Sequence, residues 1–194
     1  ALTGGNAITS KAFANRSLYD MIDGFRYNTL DLESKIQIPG RNQLIVDTYC
    51  EYVKSRPTVV FCMSVRHAQE MAGLFQAQGI DARSISGSTK PAERKRILEQ
   101  YESGKIPVLC ACDLLNEGWD SPHTQVLFMA RPTMSKTIYM QQLGRGMRKS
   151  EGKDHLMVFD FVDNANLFNM PYSMYRLLNL SEYRPGGLVL GKKE

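Results

Sequence analysis

An α/β sandwich with a largely parallel central sheet is the fold class this sequence predicts. Three observations carry it. Helical and strand-like stretches alternate from Asn42 onward. The strand-like runs are almost continuously apolar, as expected of strands covered by helices on both faces. Polar clusters recur just past those runs, at Ser64, Ser86-Gly87, Asp113 and Arg131-Pro132. In parallel sheets that is where ligands sit, although the loops of any α/β domain are polar there.

Each element follows from its own pattern. "NQLIVDTYCEYVKS" (42–55) sets Leu44, Ile45, Tyr49, Tyr52 and Val53 at helical spacing, and Arg56-Pro57 ends it. "TVVFCM" (58–63) is a short β-branched strand. "VRHAQEMAGLFQAQG" is a helix with Gly79 as its stop. "DARSIS" is a strand. Pro91 opens the helix "PAERKRILEQYESG" and Gly104 closes it. "IPVLCACD" and "TQVLFMA" are strands, "SKTIYMQQL" is helical, and "HLMVFDFVD" is the last strand. Residues 1–40 are the least regular part, broken by Gly4-Gly5, Asn6, Asn15 and Gly24, with Pro39-Gly40 as a closing turn signal. There is no internal repeat and no low-complexity tract.

A chain of 194 residues suits one domain, or one with a short appendage, and 43% hydrophobic with 23% charged residues is ordinary for a globular protein. A net charge of +4 permits an anionic partner without requiring one. No segment approaches 18 consecutive apolar residues, which excludes a membrane span. The start lacks an apolar signal-peptide core and reads as the cut edge of a longer chain. Cys110 and Cys112 alternate within an apolar run, so they share one strand face with Ala111 opposite. No second Cys or His pair follows at ligand spacing; His67, His123 and His155 stand singly, and no metal site is expected. Free thiols packed as small core residues fit a cytoplasmic, or at least intracellular, protein.

Four stretches are candidates for chemistry. In "QQLGRGMRKS" (141–150), Arg145 and Arg148 stand three apart, on one side of a helical turn, and their planar forks suit phosphate oxygens. On spacing alone, a solvated basic helix end accounts for them better. "ACDLLNEGWDSP" (111–122) puts Asp113, Glu117 and Asp120 in one loop with Gly118; they bind a metal, accept sugar hydroxyls, pair with arginines, or simply form an acidic turn with Trp119 as a half-buried anchor. Ser64, between a strand and a helix, suits a plain N-cap and a phosphate site alike, and the two are compatible. Ser86 to Lys90 form a polar loop able to meet nucleic-acid phosphate, while Arg94, Lys95 and Arg96 read as a solvated face. A phosphate loop is absent. Its signature needs Gly-Lys followed by Ser or Thr, whereas the Gly-Lys pairs here are followed by Ile106, Asp154 and Lys193. There is no Asp-Glu pair after a strand to hold magnesium and no nucleophile elbow.

In order and spacing, "VVFCMSVRHAQ", "SISGSTKPAERKRILEQYESGKIPVLCACDLLNEGWDSP" and "ARPTMSKTIYMQQLGRGMR" resemble motifs IV, IVa, V and VI of the second RecA-like domain of superfamily 2 helicases, over roughly residues 42–163. The last stretch looks closest to the branch of restriction-enzyme motor subunits and RadD-type repair helicases. The resemblance implies a RecA-like three-layer sandwich. It also implies that ATP and Mg2+ are held mainly by a preceding N-terminal RecA-like half of the same polypeptide, outside this chain. Arg145 and Arg148 would then reach the γ-phosphate across the cleft. Gln141, Gly144, Gly118 and Asp120 would line the ATP side. Ser64, Ser86, Gly87 and Cys112 would stand where the family meets the backbone of DNA or RNA, and Asp113 would brace this nucleic-acid-binding loop; Cys112 replaces the usual threonine, and a thiol is a poor donor. On this resemblance residues 1–40 belong to the crossing from the preceding half, 41–165 to the helicase domain and 166–194 to an extension, with Met174, Leu177 and Leu178 at helical spacing. The isolated piece is expected to be inactive. Rival readings are a translocase that does not unwind, a non-catalytic RecA-like scaffold, and a small nucleotide-binding enzyme acting alone.

Overall fold

The computed structural model of the protein describes residues 2–6, 22–23, 26–27, 39–113, 119, 121–133, 135–148, 150, 153–161, 177 and 188–190. Its elements are β1 (Leu2–Asn6), β2 (Ile22–Asp23), β3 (Arg26–Tyr27), α1 (Pro39–Thr48) with a π-helical turn (Tyr49–Val53), β4 (Thr58–Phe61), α2 (Val65–Ala77), β5 (Ala82–Ser86), α3 (Pro91–Glu102), β6 (Val108–Cys112), β7 (Val126–Met129), α4 (Lys136–Gly146), β8 (Leu156–Asp160) and β9 (Leu188–Leu190). Five strands form an all-parallel sheet in the order β5-β6-β4-β7-β8. β1 continues it parallel to β8, and β9 pairs antiparallel with β1. β2 and β3 make a separate antiparallel pair.

The apolar strands are buried on both faces, and alternate residues serve opposite layers. Val60, Cys62, Cys110, Cys112 and Phe128 join Ile45, Met71 and Phe75 of α1 and α2 in one core. Val59, Phe61, Leu109, Ala111 and Leu127 join Ile97, Tyr101 and Leu143 of α3 and α4 in the other. The period-two alternation of a strand thus builds two cores from one sheet, and the three layers are those of a RecA-like sandwich. The cysteines follow the expectation: all four are free thiols and all but Cys50 are buried. Among the described residues no helix is long and apolar enough to cross a membrane.

The helix boundaries have local causes. Ser64 is extended and its Oγ accepts from His67 N at 3.0 Å, while Ser135 caps Ile138 N at 3.3 Å. Pro91 supplies the first residue of α3. Gly79 and Gly104 take φ +74° and +75° just past their helices, a conformation that favours glycine. At the end of α4, Lys153 Nζ donates to the Gly146 carbonyl and, at 3.0 Å, to that of Arg148.

Some elements depart from the expectation. Pro39 and Gly40 begin α1 instead of turning the chain ahead of it. The helix then widens: Lys54 N donates to Tyr49 O at 3.2 Å, a five-residue step that turns both Tyr49 and Val53 inward, and Tyr49 meets Phe75 edge-on at 5.3 Å. Residues 2–6, irregular by sequence, become β1 because β8 offers an open edge, which outweighs weak local propensity. Of the tail at Met174, Leu177 and Leu178, only Leu177 is described; it is helical and packs against the α3–α4 core.

Gly146 and Gly144 are two residues apart in α4 but have different surroundings. A Cβ on Gly146 would lie 2.7 Å from Leu156 Cδ1 and 3.1 Å from Leu127 Cδ1, both buried, whereas one on Gly144 meets nothing within 4 Å. Gly146→Ala is expected to destabilise by about 1–3 kcal/mol through overpacking. Gly144→Ala is expected to stabilise by up to about 1 kcal/mol through helix propensity. Urea unfolding of the two variants checks both signs.

Candidate functional site

Because the strands are parallel, the carboxyl ends of β5, β6, β4 and β7 stand side by side and form one rim. Ser64 lies past β4 and is half-buried. Its Oγ is spent as an acceptor for His67 N, which leaves its proton to donate outward. Ser86 ends β5 at 4% exposure and is held from three sides. Its Oγ bonds Ser88 Oγ at 2.8 Å, its amide donates to Thr89 Oγ1 at 3.0 Å, and its carbonyl accepts from Arg94 Nη2 at 3.0 Å. The same Arg94 nitrogen donates to the carbonyls of Gly87 at 3.0 Å and Thr89 at 3.1 Å. Arg94 is therefore not on the solvated face that the charge run suggests. Helical side chains lean toward the N-terminus, so an arginine in the first turn of α3 reaches back over the preceding loop. A cavity of about 300 Å³ opens beside this loop, lined by Ser84, Ser86, Ser88, Thr89, Gln69 and Glu93 among others.

At the end of β6 the chain turns sharply. Asp113 takes φ 55°, a left-handed conformation that aspartate tolerates better than most residues. Its carboxylate accepts from Arg131 Nη1 at 2.7 Å, which ties the ends of β6 and β7 together. Asp113 is open to solvent and Arg131 half-buried, so the worth of the pair lies in positioning more than stability. The Cys112 side chain lies beneath the rim, not on it: it is buried, and Sγ points to Asp113 Oδ2 at 3.5 Å. Burial first, then the Asp113 charge, pushes its thiol up to about 12, so it stays protonated.

The arginine pair sits elsewhere. One turn into α4, Tyr139 donates to Asp160, the last residue of β8, at 2.7 Å. Seven residues on, Gly146 lies over Leu156, the first residue of β8. The helix therefore runs antiparallel to the strands and carries Arg145 and Arg148 to the opposite end of the sheet from the rim. Arg145 is half-buried and donates to the Trp119 carbonyl. Arg148 lies beyond the last helical residue, in the exposed turn that Lys153 holds, so the two arginines do not share one helical turn. Gln141 and Gly144 are exposed on α4. Trp119 is the half-buried anchor expected, edge-on to Tyr101 at 6.1 Å. Glu117, Gly118 and Asp120 lie outside the described residues. Among the described residues no cluster of His, Cys, Asp or Glu is able to hold a metal ion.

A second polar group, unremarked in the sequence, lies under the rim. Arg41, at 2% exposure, donates through Nη2 to the Ala130 carbonyl at 3.0 Å and the Phe161 carbonyl at 3.2 Å. The fully buried His67 accepts from Met63 N on Nδ1 at 3.2 Å, so its proton is on Nε2 and goes to Asn42 Oδ1 at 3.1 Å. The available signal was spacing: Arg41 and Asn42 stand one turn before Ile45 and Val46, on the face α1 buries.

A family model described as helicase conserved C-terminal domain matches residues 40–150. The putative ATP-dependent helicase IRC3 of Saccharomyces cerevisiae is 32% identical over 139 residues, 70% of this chain and 20% of that protein. The putative mitochondrial ATP-dependent helicase irc3 of Schizosaccharomyces pombe is 38% identical over 117 residues, 60% of this chain and 19% of that protein. This chain thus spans about a fifth of the length of these relatives. The solved structure of S. cerevisiae Dbp5 bound to RNA and ADP BeF3 shares the fold at a TM-score of 0.56 and 18% identity, covering 66% of this chain and 34% of that one.

His67 makes stability depend on pH. Burial, and then the Arg41 charge, pushes its pKa from 6.5 down to about 3. The unfolded chain therefore takes up a proton first, and stability is full above pH 6.5 and falls as pH drops toward 3. Between pH 7 and about 5.5 the loss from this group is expected to be about 1 kcal/mol. Urea unfolding at the two pH values measures it, and His67→Gln should flatten the dependence.

Proposed function

The chain belongs to the family of helicase conserved C-terminal domains, and from that premise we propose that it is the second motor half of an ATP-dependent DNA or RNA helicase or translocase. In this reading the preceding half of the same polypeptide binds ATP and Mg2+, and this half supplies Arg145 and Arg148 to the γ-phosphate. Gln141 and Gly144 face the same cleft, joined by Gly118 and Asp120. Ser64, Ser86 and Gly87 meet the nucleic-acid backbone, with Cys112 contributing its backbone only, since its thiol is buried, and Asp113 braces that loop through its ion pair with Arg131. A Cβ on Gly87 would meet nothing within 4 Å, so the fold itself does not require glycine there, whereas close approach of a strand would.

One observation carries this reading: α4 runs antiparallel to β8 and sets the arginines at the far end of the sheet from the hydroxyl-lined rim. Two ligands on separate surfaces suit a motor that must couple nucleotide chemistry to movement along a strand. The names of the similar proteins, ATP-dependent helicases, support the activity, and the RNA and ADP BeF3 bound by the Dbp5 neighbour fit two such ligands. Chemically, a guanidinium neutralises charge that develops on the transferring phosphoryl group, an effect worth about 10³–10⁵ in rate in related systems. Backbone-only contact at the rim makes binding independent of sequence and sensitive to salt.

In the polypeptide that joins both halves, Arg148→Ala is expected to lower nucleic-acid-stimulated ATP turnover by about 10³ or more while nucleic-acid binding is retained. The 194-residue chain alone should not turn over ATP. Steady-state ATPase and binding assays test both; unchanged turnover in Arg148→Ala would make that turn structural.

A further inference from the structure

Arg41 and Asn42 are adjacent on α1, yet they hold different corners of the sheet. Arg41 bridges the carbonyls just past β7 and β8. Ala130, one of those carbonyls, immediately precedes Arg131, which grips Asp113 at the end of β6. Asn42 holds His67, and His67 holds the Met63 amide, immediately before Ser64. Ser64 in turn caps the backbone of His67 at 3.0 Å. A short chain of hydrogen bonds therefore runs from two residues of one helix to the ends of β4, β7 and β8, and through Arg131 to β6.

Such a cluster is an expensive way to fill space. A guanidinium stays charged at any working pH, and burying it with an imidazole and an amide requires all of them to be met. Apolar side chains of similar volume often give equal or greater stability at such positions. What directed hydrogen bonds add is fixed geometry. These bonds end on the backbone at Met63 and Ala130, each one residue short of a side chain on the rim, Ser64 and Arg131.

We propose that Arg41, Asn42 and His67 are positioning residues for the nucleic-acid rim, setting the spacing between the Met63–Ser64 turn and the Ala130–Arg131 corner. They touch no substrate. Their effect is on how well the rim fits a strand, and so on nucleic-acid affinity more than on the chemical step. The inference rests on the reading of the rim as a nucleic-acid surface, and its test separates the two.

The experiment compares wild type, Asn42→Leu and Asn42→Asp in the polypeptide joining both halves, with single-stranded oligothymidine and oligouridine as probes. Leucine fills the space without an acceptor; aspartate restores the acceptor for His67 Nε2. In Asn42→Leu the oligonucleotide concentration that half-saturates ATP turnover should rise about tenfold, the equivalent of one lost buried hydrogen bond. Saturated turnover should stay within about twofold, and Asn42→Asp should recover most of the affinity. A lower melting temperature with unchanged half-saturation, or a loss confined to saturated turnover, overturns the proposal. Hydrogen exchange at the Met63 amide reads the latch without any activity: faster exchange in Asn42→Leu is expected, and unchanged protection overturns it. If wild-type turnover ignores both oligonucleotides, the reading of the rim fails, while the exchange measurement still decides the latch. Should Asn42→Leu not fold, Asn42→Ser, whose shorter side chain falls short of His67, carries the same expectations.

Discussion

A strand covered by helices on both faces has no room for an unpaired polar side chain except at its ends, and this constraint governs the rest of the molecule. β4 and β6 are paired on both sides and buried throughout. Past Thr58, their side chains serve the two cores. Polar residues able to meet a ligand are therefore driven to the carboxyl-end turns or to the outer surface of the covering helices. Ser64, Ser86 and Asp113 take the first place, Gln141 and Arg145 the second, and Arg148 the turn just past α4. Since α4 runs back along the sheet, Arg145 and Arg148 end up at the opposite end of it from the rim. Separation of the two proposed ligand surfaces is thus a consequence of ordinary packing.

Several polar groups that enter the core are tied in with hydrogen bonds. Tyr139 donates to Asp160 at 2.7 Å, and Tyr101 shares a bond of 2.9 Å with Thr124, which reaches Ser121 at 2.9 Å. Arg41 and His67 belong to the same class. A buried donor left unmet costs about 1–3 kcal/mol, more for a charged group, so each of these contacts specifies one arrangement of its neighbours. They lie between elements far apart in the chain, and they fix how the layers meet. The hydrophobic contacts supply the bulk of the stability without being so selective.

Much of this was legible in the sequence. Continuous apolar runs located β4, β6 and β7, because full burial leaves no polar position in them. Gly79, Gly104, Pro91 and Ser64 marked helix ends through backbone conformation and capping, which are local effects. The order of four motifs pointed to the family that the comparison over residues 40–150 established. What was hidden depends on partners distant in sequence. Arg41 bonds across 89 and 120 residues, and no local pattern announces such a reach. β1 forms because β8 offers an edge. Arg94 looked like part of a basic face because composition does not say which way a first-turn side chain leans. The end of α4 at Gly146 was obscured by the helical spacing of the arginines around it.

The most direct test of the account is a distance. It would be read from a crystal of the polypeptide joining both halves, with ADP–beryllium fluoride and a single-stranded oligonucleotide bound. The account predicts Arg145 and Arg148 guanidinium nitrogens at about 3 Å from the phosphate mimic, with the oligonucleotide backbone on Ser64, Ser86 and Gly87 at the other end of the sheet. Arginines turned away from the phosphate mimic, or a strand lying along α4 instead of the rim, would contradict it.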